Sequence, residues 1–209
     1  MTAPAAGSGD TASAAGSGET APAGRAGCYP GSFNPPTIAH LAIAEAAHRQ
    51  CGLDRLDLVV SRIALGKAAP TGPRFDDRVA VLDTIASTRP WLDVRVTDAQ
   101  LLADLAAGYD VLVLGADKWA QVVDPAWYGG SLAARDDALA RLPEVVVAPR
   151  PPWPVPPGRG LLVDEVHLPV SATGARTVEP GWMAAEAAAF DARSGAWTDP
   201  ERYRRGAGR

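Results

Sequence analysis

Residues Val111–Gly115 read Val-Leu-Val-Leu-Gly, apolar at every position. A strand of that kind offers no face to water and must be covered on both sides. Ala26–Tyr29, Leu56–Val60, Val94–Val96 and Val145–Ala148 read as companion strands, and helix-like segments lie between them. Ile38–Gln50 puts Ile38, Leu41 and Ala42 on one face and Glu45, His48 and Arg49 toward solvent. Arg74–Ser87 carries Phe75, Val79, Leu82 and Ile85 at spacings of four, three and three, an amphipathic stripe. Leu101–Ala107 reads as a short helix and Ser131–Arg141 as a longer one. A Pro-rich connection, Pro149–Pro157, leads to two last short strands, Leu161–Val163 and Val166–Leu168. This alternation predicts a Rossmann-like, doubly wound α/β fold with a mostly parallel sheet and helices on both faces. Ligands of such sheets bind where the winding reverses, at the carboxyl ends of the strands. Chemistry is therefore expected in the loop after the first strand.

Residues 1–24 are almost wholly Ala, Gly, Ser, Thr and Pro, and Ala-Gly-Ser-Gly occurs in them twice, at 6–9 and 15–18. Such a stretch buries too little apolar surface to offset its ordering entropy, so a disordered tail is expected there. It holds no Arg, unlike a transit peptide. The α/β domain is expected over residues 25–192, with 193–209 as a C-terminal extension. The 20 basic and 24 acidic residues give a net charge of −4, which disfavours a nucleic-acid partner. No apolar run is long enough for a membrane span. Two cysteines are too few for a disulfide framework, and no secretory leader is visible, so the expected compartment is the cytosol. Cys28 and Cys51 read as buried small residues, not nucleophiles.

Several nucleotide signatures fail. No G-x-G-x-x-G follows the first strand. Gly66-Lys67 is followed by Ala68, with Ser61 where a Walker A loop needs its first Gly. No Cys and His set has zinc-ligand spacing, and no G-x-S-x-G elbow occurs. What stands after the first strand is Gly31-Ser32-Phe33-Asn34-Pro35-Pro36-Thr37-Ile38-Ala39-His40. A glycine-containing loop leaves backbone amides available, and a helix starting near Ile38 points its positive dipole end at the same place. Thr37 and His40, three apart, share one face of that first turn. A phosphate there would meet amides, a hydroxyl and an imidazole together. The residues alone also allow Thr37 as a simple N-cap and His40 as a structural histidine.

The run Cys28–His40 resembles the G-S-F-N-P-P-H-x-G-H signature of nicotinate/nicotinamide mononucleotide adenylyltransferases, in the nucleotidyltransferase superfamily defined by [HT]-x-G-H. Val170-Ser171-Ala172-Thr173-Gly174-Ala175-Arg176 is similar to that family's I-S-S-T-x-I-R run. Gly115-Ala116-Asp117, Trp127-Tyr128 and Arg150-Pro151 resemble its G-x-D, Trp-Tyr and Arg-Pro pairs, in the same order. The resemblance covers about residues 26–180. It implies a reaction in which a pyridine mononucleotide attacks the α-phosphorus of ATP, in NAD biosynthesis, with Mg²⁺ bound mainly through the ATP phosphates. It also implies site roles. His40, Thr37 and Arg176 would be catalytic. Gly31, Ser32, Phe33, Gly115, Asp117, Ser171 and Thr173 would join them around ATP, and Ser32, Lys67, Trp127 and Arg150 would hold the acceptor.

Each of these positions has a plainer reading. Arg176 suits a surface ST-turn, Asp117 a helix cap, Trp127 the core, and Lys67 solvent. Trp119 competes with Trp127 as a stacking surface. His48 is expected to face solvent, and His167 to end a late strand without an evident partner. The sequence also departs from the family pattern. Thr37 replaces the first motif His, Ala39 its Gly, Ala172 a Ser and Ala175 an Ile, and the usual P-P-H-K of the second loop keeps only Lys67. These departures leave two further readings: a different phosphorylated acceptor, or a catalytically weakened nucleotide-binding relative.

Overall fold

The structure is a computed structural model and describes residues 24–62 and 72–206. The N-terminal tail, apart from Gly24, and Lys67 with its loop lie outside the described residues. Five strands form one sheet: β1 (Ala26–Pro30), β2 (Arg55–Ser61), β3 (Leu92–Thr97), β4 (Val111–Gly115) and β5 (Glu144–Ala148). Their order is β3-β2-β1-β4-β5, and every pairing is parallel. The expected doubly wound sheet is present, and it is parallel throughout. The winding reverses between β1 and β4, where Gly27 pairs with Val111 and Cys28 with Leu112.

Period-two alternation sorts the sheet residues into two cores. Leu56, Leu58, Val60, Val111, Val113 and Val146 face α1 (Ile38–Gln50), α2 (Phe75–Ala86) and α7 (Ala185–Ser194). Cys28, Val59, Leu112, Leu114, Val145 and Val147 face α3 (Leu102–Leu105) and α4 (Ala116–Val123). Full burial of each such aliphatic side chain is worth about 1.5–3 kcal/mol. Helices α5 (Leu132–Ala140), α6 (Ala172–Thr177) and α8 (Pro200–Gly206) complete the fold. No helix among the described residues is long and apolar enough to cross a membrane.

Several local expectations need correction. Helix α1 does not turn Ile38, Leu41 and Ala42 fully inward; its buried residues are Ala39, Ala44, Ala46 and Ala47. Alanines give little hydrophobic contrast in a sequence, yet their small size lets a helix press close to a sheet. His48 does not face solvent freely: its ring stacks on Trp91 at 4.4 Å and 6°. Leu161–Val163 and Val166–Leu168 are not strands. Gly160 makes a single bridge to Val147, and Glu165–His167 is a 3-10 turn whose cap, Asp164, accepts from Val166 N at 3.1 Å. Among the described residues no second sheet covers this region, and Leu162 stays 82% exposed. The cap chemistry of Asp164 outweighs the aliphatic pattern. Cys28 is buried, as expected, and burial pushes its thiol up to about 12, whereas Cys51 is only half-buried.

The C-terminal residues are bound tightly to the domain. Gly195, at φ 73°, ends α7 in the left-handed conformation that glycine tolerates. The buried Asp191 carboxylate then accepts from Trp197 N at 2.6 Å, Thr198 N at 3.1 Å and Thr198 Oγ1 at 2.5 Å. That turn delivers Trp197 into the core, 3% exposed. From α8, the Tyr203 hydroxyl donates to the Asp77 carboxylate and accepts from Arg74 N at 2.9 Å.

Candidate functional site

At the reversal between β1 and β4, a cavity of about 630 Å³ opens at the carboxyl ends of the strands. Tyr29 and Pro30 of β1, Leu114 and Gly115 of β4, and Ala148 of β5 form its floor. One wall is the loop after β1 with the first turn of α1; the facing wall is the chain from Val163 to Arg176.

The loop after β1 is shaped by three contacts. Gly31 N donates to Val59 O at 3.0 Å, so this amide is committed to the sheet and not to a ligand. A Cβ at Gly31 would lie 2.8 Å from the Phe33 ring, so glycine is needed for close packing here. Gly31 does not line the cavity, and its contacts serve to let Phe33 fold back. Phe33 itself takes φ 43°, a left-handed value unusual for a bulky residue, which makes it a point of local strain. Arg78 holds the next turn, donating from Nη1 to Ser32 O at 2.8 Å. Arg78 is 6% exposed, forms no ion pair among the described residues, lies over the Phe75 ring at 5.4 Å, and leaves Nε without a hydrogen-bond partner. Burial lowers its pKa from the ordinary value.

Thr37 starts α1 and does more than cap it. Its Oγ1 accepts from His40 N at 3.3 Å, while its own N–H donates to His40 Nδ1 at 3.0 Å. Oγ1 also lies 2.8 Å from Nδ1. A backbone N–H can only donate, so Nδ1 is the unprotonated nitrogen and the ring proton sits on Nε2. The Phe33 ring meets the imidazole edge-on at 5.1 Å, and Tyr29 meets Phe33 at 5.6 Å. This enclosure, together with the Arg150 charge, lowers the His40 pKa to about 4. His40 is thus a neutral donor at neutral pH, with Thr37 fixing which nitrogen donates. Burial, and next the Asp117 carboxylate, push the Tyr29 phenol well above its usual range, so it too stays protonated.

The facing wall supplies polar groups in compact form. Ser171 caps α6 by accepting from Gly174 N at 2.9 Å. Arg176 donates from Nη2 to Thr173 Oγ1 at 3.2 Å and from Nη1 to the Asn34 carbonyl. Arg150 donates from Nη1 to Val170 O at 2.7 Å. Asp117 lies in the first turn of α4 and folds back over Gly115, where a Cβ would meet Oδ1 at 2.6 Å. It does not cap its helix; Gly115 holds that position without a side-chain bond.

Ser32, Phe33, Thr37, His40, Gly115, Asp117, Arg150, Ser171, Thr173 and Arg176 all line this one cavity. Trp127 does not. Asp124 caps the 3-10 turn Pro125–Tyr128, accepting from Ala126 N at 2.9 Å, and the turn leaves the indole 57% exposed outside the cavity. Trp119 also stays away from it, packed in the second core under the Arg159 guanidinium. Asn34, Lys118 and His167 also line the cavity, although their residue types and spacing gave none of them a site role. Asn34 was legible inside the quoted run, but only the fold brings its Oδ1 within 2.7 Å of Trp197 Nε1. His167 was misplaced with the strand that does not form. The aliphatic side of the cavity, Ile43, Val163, Leu168 and Val170, gives the polar groups an apolar counterpart suited to a base.

The sequence profile of the cytidylyltransferase-like family matches residues 28–177. No curated protein is similar enough in sequence to be matched. Among solved structures, the Plasmodium falciparum nicotinic acid mononucleotide adenylyltransferase complexed with APC aligns with TM-score 0.62 at 12% identity, covering 84% of this chain and 98% of its own. The same enzyme complexed with NaAD aligns with TM-score 0.61 at 12% identity and the same coverage. At that identity the likeness is one of fold.

Proposed function

The chain belongs to the cytidylyltransferase-like family of nucleotidyltransferases, and from that premise we propose that it transfers the adenylyl group of ATP to nicotinate or nicotinamide mononucleotide. The products are a dinucleotide and pyrophosphate, which puts the reaction in NAD biosynthesis, in the cytosol. The observation that carries this reading is the meeting of two distant stretches: His40 and Arg176 line the same cavity, and Arg176 donates to the carbonyl of Asn34 in the first motif. The NaAD complex of the similar fold agrees with a pyridine dinucleotide product.

An oxygen of the mononucleotide phosphate attacks the α-phosphorus; a new P–O bond forms as the bond to the β-phosphate oxygen breaks, and pyrophosphate leaves with that electron pair. A phosphate monoester has its second pKa near about 6, so it is already ionised and no general base is needed. The energetic problem is bringing anions together, which positioning and fixed donors solve. His40 Nε2–H donates to an α-phosphate oxygen. Arg176 engages the β- and γ-phosphates with the donors that Thr173 and Asn34 leave free, and Ser171 and Thr173 lie beside it. Arg150 and the Ser32 turn hold the acceptor phosphate.

Asp117 is the only carboxylate among the described residues lining the cavity, and no cluster of three metal-ligating side chains occurs among them. That donor set fits Mg²⁺ held mainly by phosphate oxygens with Asp117 beside it; bound there, the ion neutralises charge on the leaving pyrophosphate. The stacking role implied for Trp127 is left out, because its indole lies outside the cavity.

Pyrophosphate release with ATP and a panel of acceptors tests the proposal. Turnover is expected with a pyridine mononucleotide. Turnover confined to phosphopantetheine or glycerol phosphate would reassign the acceptor, and ATP binding without turnover on any acceptor would make the protein a binding relative.

A further inference from the structure

The residues that shape the site do not end at α6. Met183 bridges Thr37, and Ala184 N donates to Pro36 O at 3.0 Å, so the chain after α6 runs back along the first motif. Helix α7 then carries it to the Asp191 turn, which aims the Trp197 indole at Asn34. The Nε1–H of Trp197 donates to Asn34 Oδ1 at 2.7 Å, in a buried contact. The backbone carbonyl of the same Asn34 accepts from Arg176 Nη1. One residue of the motif thus joins a C-terminal tryptophan to the guanidinium of the distal motif.

We infer that Trp197 is a positioning residue for the nucleotide site: it fixes Asn34, whose carbonyl in turn fixes the direction of the Arg176 guanidinium. This rests on the reading above, in which Arg176 meets the triphosphate. A guanidinium has five N–H donors in a rigid fork. Two are spent on Asn34 O and Thr173 Oγ1, which sets the plane of the fork and leaves the other donors for phosphate. The indole anchors Asn34 by its side chain and Arg176 is held by its backbone carbonyl, so if loss of the anchor lets the loop backbone at Asn34 shift, one of the two restraints goes and phosphate binding must then order the Arg176 side chain itself. The indole is 163 positions away in sequence and touches no proposed ligand, so its effect must travel through Asn34.

The test is a double-mutant cycle on the full chain, read by calorimetry with a non-hydrolysable ATP analogue. Trp197→Phe keeps an aromatic ring in the core but removes the N–H donor together with part of the indole's volume, a packing loss that the second background of the cycle cancels. It is expected to weaken analogue binding about three- to tenfold, the range of a single neutral hydrogen bond. In an Arg176→Ala background the same change is expected to cost nothing further, because the group it acts through is gone. A merely structural role would give the same factor in both backgrounds and would overturn the inference. Backbone hydrogen exchange supplies a readout that needs no ligand. Faster exchange at the amides of Asn34 and Thr37 and in residues 172–177 supports the coupling, and an increase confined to 191–203 overturns it. If the wild-type chain binds no nucleotide, the proposed function fails, while the exchange result still decides whether Trp197 acts on Asn34 and Arg176. Should Trp197→Phe not fold, Thr198→Val, which removes one bond to Asp191, loosens the same turn and carries the exchange test.

Discussion

The backbone N–H of Thr37 donates to Nδ1 of His40 at 3.0 Å, and this one contact leaves Nε2 as the nitrogen that bears the proton. The imidazole is therefore a preset donor, held by the same residue that starts α1. Removing one such donor from a preorganised site costs on the order of 10²–10³ in rate. His40→Ala is expected to lose turnover by about that factor while keeping part of its ATP affinity, since Arg176, Ser171 and Thr173 stay in place. Steady-state pyrophosphate release together with calorimetry checks this, and wild-type turnover would take His40 out of the mechanism.

The lowered pKa of His40 has a consequence for pH. In the unfolded chain the group titrates near 6.5, and in the folded protein near 4. The folded state resists protonation, so the stability tied to this residue is complete above 6.5. It is lost as pH falls from 6.5 toward 4, and amounts to about 3 kcal/mol at roughly 1.4 kcal/mol per unit. An NMR titration of the free protein is expected to show one imidazole unchanged between pH 7.5 and 5. The acid limb of kcat/KM, if it falls near about 6, then belongs to the acceptor phosphate rather than to His40. A His40 midpoint near 6.5 would contradict the enclosure by Tyr29 and Phe33.

The strands and the first motif were legible because their signals are local. An all-apolar run such as Val111–Leu114 has few alternatives, and Gly31–His40 joins turn residues to a helix start within one string. The second motif was legible in the same way. What was lost depends on contacts between distant residues. Helix α4 follows directly on Gly115 without a side-chain cap, so no start signal marks it in the sequence. Helix α7 is largely alanine, with little periodic contrast. Trp127 matched by motif, but Asp124 and Pro125 wind its segment away from the cavity. Trp197 carried no sequence signal; its importance lies in a bond to Asn34 across the molecule.

Gly115 and Asp117 offer a separation of function from stability. A Cβ at 115 would lie 2.6 Å from Asp117 Oδ1, while its next contact, Asp117 Cγ, is at 3.8 Å. The clash is with the end of a side chain, which can swing aside cheaply. Gly115→Ala is thus expected to change the melting temperature little and to raise the KM for Mg-ATP several-fold, because the only carboxylate lining the cavity among the described residues has been displaced. Unchanged kinetics would show that the Asp117 position does not matter.

Arg78 should behave in a similar way for a different reason. It is a buried cation with one carbonyl partner and no ion pair among the described residues. Replacing such a group with an apolar one removes its desolvation penalty and forfeits one hydrogen bond and the contact with the Phe75 ring, losses and gain of similar size. Arg78→Met is expected to unfold within about 1 kcal/mol of wild type in urea, yet to lose turnover because Ser32 O has lost its donor. A loss of several kcal/mol with normal kcat would mean that Arg78 serves packing alone.

Truncation after Ala192 puts the C-terminal residues to the sharpest test. Removing a buried Trp side chain costs about 3–5 kcal/mol, and Trp197 is 3% exposed against Asn34 and Phe190. The same cut strips Asp191 of the Trp197 and Thr198 donors, leaving a buried carboxylate short of partners. It also removes Tyr203, and with it the acceptor for Arg74 N at the start of α2. For a chain of this size about 1 kcal/mol moves the melting temperature by roughly 2–4 °C, so a fall of more than about 10 °C is expected. Were residues 193–209 only an appendage, the shortened chain would melt with the full one. A large fall places the edge of the folded unit beyond α7, because the turn at Asp191 and the indole it delivers belong to the same core as the site.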